Sequence, residues 1–409
     1  MSPMLTGSRR ASRLMMDEVT ATPSPILLLV LAPNFAVAAA QPTFYKDVLP
    51  ILQKHCQECH RSGEVAPMSL LSYQQVRPWA KSIKSAVLAR KMPPWFADPH
   101  YGKFSNDTSL SAAEVATLTA WIDGGAHEGN RRDGRENPNF VDGWRFKPDL
   151  VFELPQMVQV PANGTVDYMY FAVPTGFKED KWVQTIEVRP SNRSVVHHAI
   201  VYVQSGATTW GSGGEYLGGY APGAVPQEWK RGEARLIPAG STLIFQMHYT
   251  ASGQPACDRT RVGLVFAKEP PNQRILAMQA LNAGFVIPPG KADYQVDAAR
   301  TLRQDALLVG LRAHMPLRGK SFEFRVVYPD GRTEVLLRIP KYDFNWQPYY
   351  YLESPLKLPR GTRIECTAHF DNSANNPFNP NPDLAVHWGE QSWDEMMIGW
   401  FDIAVPVRN

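Results

Sequence analysis

The chain has 409 residues, 42 Lys and Arg against 39 Asp and Glu for a formal net charge of +3, and 44% hydrophobic residues. That length leaves room for two to four domains of roughly 100–200 residues each. The apolar share excludes a disordered chain, and balanced charge without a long basic run excludes the electrostatic footprint of a nucleic-acid binder.

The first element is a leader over residues 1–40. Arg9, Arg10 and Arg13 precede an apolar run, Ile26–Ala32, and small residues follow from Ala36 to Ala40. A basic flank, a short apolar centre and an A-x-A end predict a secretory signal cleaved near Ala38 or Ala40, with an uncleaved anchor as the alternative. The expected location is the periplasm or the exterior, with no membrane span after cleavage.

Next comes a helical stretch over residues 41–130. Tyr45, Val48, Leu49 and Leu52 form an apolar stripe that leads into HCQECH, residues 55–60. Pro78 opens a second stretch in which Trp79, Ile83 and Val87 recur at helical spacing. Ser111-x-x-Glu114 is a capping box for a third helix that stops at Gly124-Gly125. The chain has four cysteines, Cys56, Cys59, Cys257 and Cys366. Half a zinc site would need a second close pair, and a disulfide framework would need more cysteines. In an exported chain, Cys56-x-x-Cys59-His60 is the signature for covalent haem c, with His60 as axial ligand. Short helices around this motif resemble a class I cytochrome c. The resemblance implies a methionine sulfur as the sixth ligand, for which Met92 is preferred over Met68. His55, His100 and His127 read as surface or turn residues.

Residues 131–143 are polar, contain Gly and Pro, and read as a linker. Beyond them the helical period gives way to short alternating runs, among them Val195–Val203, Leu243–Tyr249, Phe322–Val327 and Ile364–Phe370. Two all-β sandwiches are expected, over 144–275 and 276–409. An internal repeat supports the split: residues 237–252 (IPAGSTLIFQMHYTAS) align without gaps to 358–373 (LPRGTRIECTAHFDNS), matching His248 to His369.

Histidines gather in this half: His197, His198, His248, His314, His369 and His387. A lone strand histidine is usually a hydrogen-bonded core residue, but six of them amid methionines favour copper. VVHHAIVYV, LIFQMHYT, RAHMPLRGK and QSWDEMM, in that order, resemble the type II copper monooxygenases, the family of peptidylglycine α-hydroxylating and dopamine β-monooxygenases. The resemblance implies two jelly-roll domains with a copper each. One copper, held by His197, His198 and His248, supplies an electron; the other, on His314 and Met396, binds O2 and hydroxylates a C–H bond. Ligation by neighbouring His197 and His198 requires a twist or bulge in their strand. The family's H-x-H reads His314-Met315-Pro316 here, so one ligand is missing; the repeat offers His369, with His387 and Met315 as weaker substitutes. Gln246 matches a residue near the family's active site. Arg312 matches one that holds a substrate carboxylate, its alternative being a surface charge. Pairing of Cys257 with Cys366 is left open.

The expected fold is thus an all-α cytochrome c domain followed by two all-β jelly-roll domains. The expected protein is an exported haem c and copper oxidoreductase acting on a small organic substrate with O2, its electrons coming from an ascorbate-like donor or a redox protein. The rival is a non-catalytic electron-transfer or copper-binding protein.

Overall fold

A computed structural model describes residues 41–407, apart from 63, 65, 137–143, 207–213, 223 and 392. The leader and most of the expected linker lie outside the described residues. Strand accounts for 40% of the structure and helix for only 12%. This overturns the expected fold class: no all-α domain stands beside the sandwiches, and the architecture is a β-sandwich with short helices on it.

The helices are α1 (Leu49–His55), α2 (Tyr73–Val76), α3 (Ala80–Leu88) and α4 (Ala112–Asp123). Helices this short are marginal in water without tertiary support. Phe44, Leu52, Leu118 and Trp121 give them a small core. The chain between α3 and α4 is given over to the sheet. Trp95, Phe96 and Phe104 pack on the C-terminal β core. The Asp98 N–H donates to the Arg338 carbonyl (2.8 Å), and the Ser105 N–H donates to that of Tyr351 (2.9 Å). Helical periodicity identified the helices but could not show that the segment joining them is part of another core.

The two β halves are also not separate sandwiches. One nine-stranded sheet runs through both, in the order Leu150–Glu153, Arg261–Phe266, Lys181–Arg189, Glu233–Ile237, Gln273–Asn282, Met397–Pro406, Ala306–His314 and Tyr350–Leu358, with Gln227–Glu228 off this path. The join is a parallel pairing of Glu233 with Gln273 and Ala234 with Arg274. A buried Arg235–Asp402 ion pair (2.5 Å) spans it. A four-stranded sheet packs on each half of the long one. The first is ordered Met169–Pro174, Thr242–Tyr249, Val196–Gln204, Glu215–Tyr220; the second Tyr294–Thr301, Arg363–Phe370, Gly319–Val327, Thr333–Ile339. Val201 and Phe245 meet Val183 and Leu264 in one core, while Phe324 and Ile364 meet Leu308 and Phe401 in the other. The repeat strands Thr242–Tyr249 and Arg363–Phe370 take the same second place in their sheets. Among the described residues no helix is long and apolar enough to cross a membrane.

Candidate metal and redox sites

Alternation sets which residues leave the core. Along Thr242–Tyr249, Leu243, Phe245, Met247 and Tyr249 face the sandwich interior, so Gln246 and His248 take the opposite face. In the neighbouring strand the register shifts between Val196, which pairs with Tyr249, and His198, which pairs with His248. His197 is the extra residue of this bulge, and the kink lets two adjacent imidazoles reach one point. Ligand nitrogens of His197, His198 and His248 all lie within 4.8 Å of one another. The two Nδ1 atoms of His197 and His198 are 3.2 Å apart. Tyr168 stacks on His248 (4.6 Å between centroids, 9° between planes) and Phe344 stacks on His197 (4.4 Å, 21°).

Burial, reinforced by neighbouring imidazoles, pushes His197 down to about 3 and His248 down to about 4, and holds His198 well below its ordinary value. The cluster is therefore neutral at physiological pH, which is the ligating form of imidazole. The Nε2 of His197 is buried without a hydrogen-bond partner among the described residues. Neutral, converging and partly unsatisfied nitrogens fit a borderline metal such as copper.

The outward face of the first four-stranded sheet and the C-terminal part of the long sheet enclose a cavity of about 460 Å³. His198, Gln246, Arg312, His314, Glu390 and Met396 all line it. His314 comes within 6.4 Å of His198 between ring centroids, and its Nδ1 lies 2.7 Å from the Gln347 Oε1. Since that oxygen only accepts, Nδ1 carries the proton and Nε2 is left to bind. Burial lowers His314 to about 4. Gln246 Nε2 donates to the Tyr170 hydroxyl (2.8 Å), which donates to Glu390 (3.2 Å). Arg312 is half-buried in the cavity wall, donates to the Tyr216 hydroxyl (3.0 Å), and lies over the Tyr216 and Trp400 rings at 4.9 and 5.6 Å. It is not a surface charge, and among the described residues it has no carboxylate within ion-pair distance.

His369 is elsewhere. It sits on the outward face of its own sheet, with Ile364, Cys366, Ala368 and Phe370 turned inward. Its register partners are Gln295 and Ser321, where the first sheet sets His198 against His248. Its Nδ1 is 2.9 Å from Asp293 at the surface. The structure therefore brings His314 and Met396 to one cavity and leaves His369 out of it. His387 is exposed on its two-residue strand, and Met315 is buried in the C-terminal core. Cys257 is exposed and Cys366 buried, and neither is in a disulfide.

At the other end, α1 runs into the turn that carries Cys56, Cys59 and His60. The N–H groups of Cys59 and His60 both donate to the Cys56 carbonyl (3.1 and 2.9 Å). Burial pushes the Cys56 thiol up to about 12 and raises Cys59 as well. His60 Nδ1 lies 3.3 Å from the Met68 carbonyl oxygen, which can only accept. The proton is then on Nδ1 and the Nε2 lone pair is available to a metal, the ring being oriented by its hydrogen bond to the carbonyl. Met68 packs on the small helical core, whereas Met92 follows α3 outside it. His55 is structural, its nitrogens 3.0 Å from the Thr108 carbonyl oxygen and 3.0 Å from Glu114. Four residues past His60, Glu64 is buried against Arg61 (3.1 Å), Arg189 (3.6 Å) and Arg193. Glu58 pairs with Arg145 (2.9 Å). The haem-type motif is thereby keyed to the first β half.

Tyr168, Phe344 and Gln347 were not legible as site residues, because a ring that stacks on a ligand carries no pattern of its own.

No protein-family model matches the chain, and no curated protein matches it. Among solved structures the chain is similar to the crystal structure of PBCV-1 VP54 fitted into a cryo-EM reconstruction of the virophage Sputnik, at 8% identity and a TM-score of 0.25, over 65% of this chain and 96% of that one. It is also similar to PNGF-II, at 10% identity and a TM-score of 0.26, over 62% of this chain and 64% of that one. A third likeness is to the VP2 subviral particle of infectious bursal disease virus, at 10% identity and a TM-score of 0.19, over 65% and 74%. Likeness this slight carries no argument.

Proposed function

We propose that the protein is an exported haem c and copper oxidoreductase, an O2-dependent monooxygenase that hydroxylates a C–H bond of a small organic substrate. The observation that carries the reading is the neutral His197, His198 and His248 cluster, built on a bulge that lets both neighbours reach one point. In this reading those three residues hold one copper, and His314 with Met396 holds the other in the adjoining cavity. Copper there supplies one-electron chemistry between Cu(II) and Cu(I) and reactivity toward O2. Gln347 fixes the His314 tautomer, Gln246 holds the Tyr170 and Glu390 wall, and Arg312 offers a cation in the cavity wall to a substrate carboxylate. Cys56, Cys59 and His60 would bind the haem, with Met92 as its sulfur ligand. Met68 packs on the small helical core, and Met92 is outside it.

A second reading, a non-catalytic electron-transfer or copper-binding protein, is favoured by one observation. With Pro316 in the H-x-H place and His369 outside the cavity, the second site has one imidazole and one thioether. Metal analysis separates the two on protein made with haem attached. Two coppers per chain with reductant-dependent O2 uptake support the monooxygenase; one copper without uptake leaves the electron carrier, and none sinks both.

A further inference from the structure

Met396 and His314 flank the same end of two paired strands, and buried charge ties that end together. Met397–Pro406 pairs with Ala306–His314 as far as Ile398 opposite His314. Met396 lies just before this ladder and just after an isolated bridge between Trp388 and Glu395. A thioether side chain is flexible, so a methionine outside the ladder needs another device to aim it. Glu395, covalently next to Met396, supplies one. Its carboxylate accepts from the Arg318 N–H (2.7 Å) and lies 3.6 Å from the Arg318 guanidinium. Both side chains are shut off from solvent, Arg318 at 2% exposed and Glu395 at 0%. Arg318 is four residues past His314, in the turn closed by the Gly319 N–H on the Pro316 carbonyl (3.3 Å). Its guanidinium also donates to Asn372 Oδ1 (2.8 Å) and to the Trp393 carbonyl (2.9 Å). The Glu395 backbone is pinned as well. Its N–H donates to the His387 carbonyl (3.1 Å), and its carbonyl accepts from the Gly389 N–H (3.2 Å). Apolar residues of similar volume often hold two segments as firmly as a buried ion pair does. What the pair adds is direction, since the rigid fork of a guanidinium fixes where its acceptors stand.

We propose that Arg318 and Glu395 are positioning residues for Met396. They clamp the loop before Met397 to the turn after His314, so that thioether and imidazole address one point in the cavity. The inference rests on the function proposed above, in which His314 and Met396 hold the second copper. Pro316 makes the device necessary. With a second imidazole absent from the strand, the placement of the thioether decides whether that site binds. Neither Arg318 nor Glu395 lines the cavity, so both act through Met396 and not on metal or substrate.

The test loads the full chain with Cu(I) under anaerobic conditions and needs no turnover. Binding is read by competition with a chelator, and sulfur at the metal by X-ray absorption. The parent should hold one Cu(I) with a sulfur neighbour, and Met396→Leu should remove that sulfur. Arg318→Met combined with Glu395→Leu replaces the pair by apolar residues. This double variant should lose the sulfur and bind the second Cu(I) about tenfold more weakly. Cu(I) on His197, His198 and His248 and the thermal midpoint should stay unchanged; both would move if the pair were only structural. Retained sulfur at parent affinity overturns the positioning role and leaves the second site standing. Should the double variant fail to fold or lose both coppers, Glu395→Gln decides, since it keeps an acceptor for the Arg318 N–H. A weaker second Cu(I) beside an intact first supports the proposal; no change, or equal loss at both sites, overturns it. A parent without sulfur at copper removes the second site itself, and the positioning role with it.

Discussion

His197 is the residue the bulge adds, and a regular strand would have turned its ring away from His198. His248 faces both across the ladder. Replacing His248 by Ala should lower copper content by about one per chain, since two nitrogens are a poor site for a metal that wants three or more. The haem spectrum should stay as it was; loss of both signals would show that the two sites depend on one another for folding. The same burial sets a pH dependence. An unfolded histidine takes its proton near about 6.5, while His197 resists to about 3 and His248 and His314 to about 4. Between those values the unfolded chain binds more protons than the folded one. Stability of the metal-free protein should therefore be fully present above about 6.5 and fall as pH drops toward about 4. Thermal melts of metal-free protein at a series of pH values check this, and a flat profile from neutral to pH 4.5 would contradict the buried neutral cluster.

Helix α4 shows how far local chemistry can be read. Its capping box is present as the sequence predicted: Ser111 Oγ accepts from the Glu114 N–H, and Glu114 accepts from the Ser111 N–H at 2.8 Å. Glu114 also meets His55 on α1, and its pKa falls to about 2, the two hydrogen bonds from Ser111 and the one from His55 together outweighing burial. Ser111→Ala should cost about 1 kcal/mol, read as a lower denaturation midpoint without change of slope. Strands were legible for the same reason, because alternation and turn residues lie within one run. The site was legible through the resemblance of its histidine motifs to the copper monooxygenases, which implied His197, His198 and His248 and with them the need for a bulge. His369 was not, because its strand place follows from the repeat but its partners do not: the chain puts Ser321 where the first sheet has an imidazole. The extended stretch from Trp95 to Asn106 was illegible too. Its partners lie far along the chain; Asn106 Nδ2 bonds the Tyr349 carbonyl 243 residues on.

At the scale of the molecule, that stretch and the shared sheet make the described chain from Gln41 one unit. Trp95 meets Phe104 and Tyr350 edge-on at 6.0 and 4.8 Å between centroids. Trp95→Ala should destabilise the C-terminal sandwich by about 3 kcal/mol, although the residue follows a helix in sequence. Chemical denaturation followed by strand and aromatic circular dichroism should give one coincident, shifted transition. A loss confined to the helical signal would mean that the stretch is only laid against the sheet. The parallel join at Glu233 and Ala234 predicts the same cooperativity between the β halves.

The half-buried Cys56 bears on the order in which the protein is made. Only a thiolate adds to another group, and a thiol pushed up to about 12 offers almost none at neutral pH once the chain has folded. In the reading proposed above, thioether formation then belongs to a time before α1 packs into the small helical core. Synthesis runs the same way. HCQECH leaves the ribosome well ahead of Arg189 and Arg193, which later clasp Glu64 and fix the motif against the sheet. On that reading biogenesis would be a race between attachment and collapse, and the motif's place ahead of the strands would give attachment the start.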